Sequence, residues 1–215
     1  MSGVTSRPQA TARRKPASER LAEIIETAAA IAVAEGLDRV TAKRVAAELG
    51  VFPGLVSHYF ATADELVATA FAHAAANERE QIFGRALLAD RPVDQMRRLL
   101  NAWLLRDRDP VSLLWLDAWQ ASRRRPALLA EVGRQMNTDV DRLSAVIADG
   151  IAAGDFPIDD PGAPALQILS LIDGLSVQAA TRGILDYAPV RAMVISTAER
   201  LLALPPGTLA TVMED

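Results

Sequence analysis

Between Val40 and Leu66 the chain reads VTAKRVAAELGVFPGLVSHYFATADEL, and this stretch limits the fold more than any other. Thr41 is placed to cap a helix whose apolar side is Val45, Ala46 and Leu49, and Gly50 is placed to end it. Pro53 opens the next helix, where its missing N–H costs nothing. That helix has room only to Phe60, because Thr62-Ala63-Asp64-Glu65 is a capping box that starts another. The short helix carries a small residue, Gly54, and a polar face, Ser57 and His58. It has little surface to bury, and its size suits a probe entering the DNA major groove, which is roughly 12 Å wide.

The rest of the chain is helical in pattern. Half of its 215 residues are apolar, Ala, Leu and Arg dominate, and no strand pattern or internal repeat is visible. Leu21, Ile24, Ile25, Ala28 and Ala32 recur at helical spacing behind Ser18, a suitable N-cap, and Gly36 closes that first helix. A long fourth helix is expected from the capping box to near Arg85. Further helices are expected over 92–107, 110–124, 126–152, 161–184 and 189–203, most of them opened by proline, with Gly154–Pro157 as a break. The expectation is an all-α protein, with a three-helix head bearing a helix-turn-helix and a six-helix body, joined by the fourth helix. Its parts would be a flexible basic arm (1–17), a DNA-binding head (18–66), a ligand-binding and dimerisation body (67–204) and an irregular tail (205–215).

Composition narrows the function. The chain has no cysteine, so disulfides and thiolate zinc sites are excluded, and a reducing cytoplasm is the expected location. No apolar run approaches the ~18 to 20 residues that span a bilayer, and no membrane partner is expected. Net charge is −4, but residues 1–66 hold eight basic and eight acidic side chains, so the acidic excess lies beyond them. Arg7, Arg13, Arg14 and Lys15 precede the first acid, as an arm for phosphates or as a solvated tail. An enzyme is poorly supported. His58 lies in the probe helix, His73 stands among alanines, and no nucleophile triad, phosphate loop or metal-ligand pair occurs. No catalytic residue, metal or cofactor is expected.

These features coincide in one family. The first helix, the block Thr41–Val51, Gly54, His58-Tyr59-Phe60 and Asp64-Glu65-Leu66 resemble the tetracycline-repressor (TetR) family of transcriptional regulators. Ser57-His58-Tyr59-Phe60, Trp115–Arg125, Ile147–Gly150 with Gly154-Asp155-Phe156, and Ile172–Leu175 resemble its choline-responsive, BetI-like subgroup. The resemblance implies a homodimer made by the last two helices, operator DNA as partner, and release when a small molecule binds the body. By resemblance, Thr41, Ser57, His58 and Tyr59 are expected to contact the DNA backbone, and Gly54 and Leu55 the bases, while Lys43 and Arg44, at the end of the second helix that can face a phosphate, are further DNA-binding candidates. Lys43 and Arg44 can equally be solvated charges, and Tyr59 a core aromatic. Three residues depart from the family: Phe52 replaces a usual Ser, Ser57 a frequent Tyr, and Ala63 a usual Lys. In the family the last two positions touch phosphate, so one contact fewer per subunit is expected.

In the body, Ala165, Leu166, Ile168, Leu169, Leu171, Ile172 and Leu175, with Met193, Val194, Ile195 and Leu201, form apolar surface wide enough for an interface. Trp115 and Trp119 lie one turn apart. With Phe83, Met96 and Trp103 they are candidates for an aromatic effector pocket, Gln120 being its polar member, or else they are ordinary core. Asp117 points off the Trp115–Trp119 face and is not expected as a counter-ion. Two rival readings remain at this point, a helical adaptor without DNA binding and an activator of the same family type.

Overall fold

A computed structural model describes residues 16–105, 108–180 and 187–210. Nine α-helices occur among them: α1 (Ala17–Glu35), α2 (Ala42–Leu49), α3 (Pro53–Tyr59), α4 (Ala63–Ala86), α5 (Pro92–Trp103), α6 (Asp109–Ser122), α7 (Pro126–Ala152), α8 (Gly162–Ala179) and α9 (Ala188–Leu201). No strand occurs among the described residues. Of the basic arm, residues 1–15 lie outside the described residues, as do 181–186, where α8 was expected to end, and the last five residues of the tail.

Local chemistry sets most of the ends. Pro16, not Ser18, precedes α1, so Ser18 is inside the helix and Pro16 provides no side-chain cap. The Thr62 hydroxyl accepts from the Glu65 N–H at 3.1 Å, and the Glu65 carboxylate accepts from the Thr62 N–H at 3.3 Å, completing the capping box. α5 stops at Trp103 rather than 107, since Leu104 leaves helical geometry. α6 ends at Ser122, whose hydroxyl donates back to the Trp119 carbonyl at 2.9 Å, and so leaves Arg123–Arg125 at a corner before Pro126. Gly150 on α7 is needed for space. A Cβ there would lie 2.1 Å from the Phe156 ring, which folds back over the helix.

Two apolar cores are stacked along α4. The first gathers Ile24, Ala28 and Ile31 of α1, Val45 and Val56 of the helix-turn-helix, Leu66 and Phe71 of α4, Leu114, Trp115 and Ala118 of α6, and Leu128 of α7. The second holds Phe83 and Ala86 from the far end of α4 with Met96, Leu99, Leu143, Ile168, Ile172 and Val194. The first core therefore extends past residue 67 into α4, α6 and α7. Much of the apolar surface expected for an interface is spent on the second core. Ala165, Ile168, Leu169, Ile172 and Val194 are buried, whereas Leu166, Val177 and Met193 are exposed. Beyond α9, residues 205–210 form turns seated on the body. Leu209 is fully buried, its N–H donates to buried Glu199 at 2.8 Å, and the Thr208 carbonyl accepts from Arg97 at 2.8 Å.

Candidate nucleic-acid interface and effector cavity

The helix-turn-helix is fixed from within. The Thr41 hydroxyl accepts from the Arg44 N–H at 3.1 Å, and Gly50 takes the left-handed conformation (φ 65°, ψ 34°) that turns the chain out of α2. Val45, Ala46 and Val56 are buried, with Tyr59 and Phe60 half-buried against the same core. On α3 this leaves Pro53, Gly54, Ser57 and His58 facing out. A Cβ on Gly54 would meet nothing within 4 Å, so the fold itself does not require glycine there. A missing side chain at such a point suits close approach by an outside surface.

The predicted contact residues divide. Thr41, Lys43, Gly54, Ser57 and His58 are exposed, while Arg44, Leu55 and Tyr59 are half-buried. The His58 ring stands edge-on to Tyr59 at 5.5 Å. Arg44 is held by two carboxylates of its own chain, Glu35 at 2.6 Å and Glu48 at 2.7 Å. Its hydrogen bond to Glu35 raises the arginine above its ordinary value and lowers the carboxyl below the usual range. Ala63, exposed at the start of α4, offers no polar group.

In the body, Phe83, Trp103 and Trp115 line one small cavity of about 20 Å³, together with Glu78, Asp139 and Asp173. That volume holds no more than about one water. The Phe83 and Trp103 rings meet edge to face at 5.8 Å, and Arg142 lies 4.7 Å from the Phe83 centroid. The other predicted pocket residues lie elsewhere. Met96 is fully buried in the second core, Trp119 packs 5.6 Å from Trp115 in the first, and Gln120 is exposed toward the head. None of these three lines the cavity: α6 turns only Trp115 toward it, and α5, which carries Met96, only Trp103.

The charged lining is not evident from apolar periodicity. Buried Arg79 pairs with Asp139 and with the Gln135 side-chain oxygen. Arg108 meets Glu78 at 2.8 Å, an ion pair whose angle does not complete a hydrogen bond at that nitrogen. Burial raises the carboxyls of Glu78 and Asp139 against the pull of these arginines. Asp173 is in no ion pair among the described residues, and burial pushes it up to about 6, with Arg108 opposing and Asp139 adding to the shift. The sequence signal for this cluster is Asp173 itself, a carboxylate in the apolar run Leu169–Leu175.

Two more carboxylates join head to body. The Asp117 side chain of α6 accepts from the Leu37 N–H at 3.4 Å. Asp64, in the first turn of α4, accepts from the Ala127 N–H at 3.0 Å and so caps α7. The α6–α7 corner therefore sits against the first turn of α4, directly behind the helix-turn-helix.

Residues 24–70 match the bacterial regulatory proteins of the tetR family, and residues 92–203 match the C-terminal domain of BetI-type transcriptional repressors. No curated protein matches the chain in sequence. Among solved structures, a TetR-family transcriptional regulator from Rhodococcus sp. superposes with a TM-score of 0.73 at 21% identity, covering 86% of this chain and 99% of that one. A transcriptional regulator from Saccharomonospora viridis, in complex with choline, gives 0.68 at 22% identity, covering 85% and 96%. A TetR regulator from Haloarcula marismortui gives 0.70 at 21%, covering 86% and 97%. At these identities the superpositions establish a shared fold.

Proposed function

The chain belongs to the tetR family of bacterial regulatory proteins, with a BetI-type C-terminal domain, and on that premise we propose that it represses transcription by binding operator DNA as a homodimer and releases it when an organic cation enters the body. A transcriptional-regulator family is not an enzyme family. Its target places its action in the cytoplasm, at the nucleoid. Among the described residues no helix is long and apolar enough to cross a membrane.

The observation that carries the effector class is the cavity between α4 and α8. Three aromatic side chains and three carboxylates converge there against two arginines. Aromatic faces attract a cation, and a carboxylate without an ion pair, Asp173, is available to neutralise it. Choline bound to the Saccharomonospora viridis regulator is such a cation. The small volume means that binding must spread the helices. α4 then carries that displacement to the head, and the spacing of the two α3 helices changes. Exposed Leu166 and Val177 on α8 and Met193 on α9 support dimerisation through these helices. A two-fold dimer would present α3 to half-sites roughly 34 to 36 Å apart.

The test is fluorescence anisotropy on duplexes from the DNA upstream of the protein's own gene, at two salt concentrations and with unrelated competitor. Tight, selective binding weakened by salt is expected, and choline or another quaternary amine should weaken it by about 5- to 150-fold. An amine that binds without changing operator affinity removes the proposed switch. Failure to bind any genomic fragment selectively removes the repressor reading and favours the adaptor.

A further inference from the structure

Phe52 is the most exposed large apolar side chain among the described residues, at 87%. It does nothing for the fold that another residue would not do better. It occupies the N-cap of α3, where Ser, Thr, Asp or Asn would satisfy a free backbone N–H, and its side chain makes no capping bond. Its backbone carbonyl accepts from the Leu55 N–H at 2.9 Å, a role any residue fills. The ring is not counted in either apolar core. A bulky apolar side chain is therefore held in water at the leading end of a short helix, two residues before Gly54, whose Cα is open to approach.

In a helix-turn-helix the first residues of the second helix meet base edges in the major groove. The one apolar group displayed there is the 5-methyl of thymine, which aromatic and aliphatic side chains recognise by contact. We propose that Phe52 reads a thymine methyl in each operator half-site, and that this contact sets base preference at that position. Arg44 of α2 is held by Glu35 and Glu48, and the leading residues of α3, Phe52, Pro53 and Gly54, carry no polar side chain to read a base edge. This inference rests on the DNA-binding reading above and goes beyond it to name a residue and a base.

The experiment begins with selection of a preferred duplex from a randomised DNA library by the full-length protein. Each thymine of that duplex is then replaced singly by deoxyuridine, which removes only the methyl. One position per half-site should cost the wild type about fourfold, and replacement in both half-sites about fifteenfold, the effect of leaving one methyl-sized group unburied. Phe52→Ala should lose a similar factor on the thymine duplex and become indifferent to uracil at that position alone, while mismatches elsewhere cost it as much as they cost the wild type. Phe52→Ser should do the same yet melt at an equal or higher temperature, which separates reading from folding. A selected duplex with no uracil-sensitive position, or a Phe52→Ala protein still sensitive at that position, overturns the inference alone. Enrichment of no sequence by the wild type overturns the DNA-binding reading, and this inference with it.

Discussion

The head and the body use the same pair of chemical groups in opposite ways. On the head, Arg44 joins Glu35 and Glu48 at the surface, where water screens every charge. In the body, Arg79 is buried at 8% exposure with Asp139 and Gln135, and Arg108 meets Glu78 beside the aromatic walls of the cavity. Taking such groups out of water costs several kcal/mol per ion, which a good partner only offsets, so the body holds charges whose balance one more cation can change. The head keeps an apolar interior and a surface ion network, the construction of a part that must present α3 without deforming. The contrast points to the body as the element that moves and the head as the element that is moved.

The largest test of this contrast is Arg79→Ala. It strands Asp139 and Gln135 in the interior and should destabilise the protein by about 3–5 kcal/mol in denaturant titration. A loss no larger than that of a surface substitution would mean that water already reaches the cluster.

Next is Asp173→Asn. The folded carboxyl titrates at about 6, above its ordinary 3.8, so the folded state holds the proton more tightly than the unfolded chain. Stability should therefore fall as pH rises from about 4 to about 6, and the cost should remain in full above that. The asparagine variant should be more stable by about 1–3 kcal/mol at pH 7.5 and unchanged below pH 4. Cation binding to the wild type should weaken as pH is lowered through 6, while the variant binds weakly at every pH. A flat pH profile in the wild type would exclude Asp173 as the counter-ion.

Gly36→Ala tests the joint between the two regions. Gly36 has φ 92°, and a Cβ there would stand 3.0 Å from the Asp117 carboxylate that accepts from Leu37. A loss of about 1–2 kcal/mol is expected, with reduced ligand response of operator binding. The smallest effect belongs to Arg44→Ala, which should leave the melting temperature close to that of the wild type at moderate salt.

The sequence reveals most where local chemistry decides. Thr41, Gly50, Pro53 and the Thr62–Glu65 box place the helix-turn-helix, and Pro126 with Gly154 brackets α7. Where several helices must converge, one-dimensional pattern is insufficient. Trp115 and Trp119 share a helix face and both pack in the first core, yet only Trp115, the more buried of the two, also reaches the cavity. Arg79 is one charge among several on a long helix, and only the fold brings it to Asp139 sixty residues away. Ser18 has a side chain that can cap, which sequence shows, whereas the start behind Pro16 rests on backbone geometry, which sequence does not show.

Because α6 and α7 supply Leu114, Trp115, Ala118 and Leu128 to the first core, the DNA-reading part is not a detachable module. Residues 18–66 expressed alone would leave α1 without most of α4 and all of α6, the helices it packs against, and a chimera that grafts them onto a foreign sensor would inherit a mismatched corner. Exchange of sensors between such proteins must then carry the α6–α7 corner along with the reading head, or rebuild its packing in the recipient.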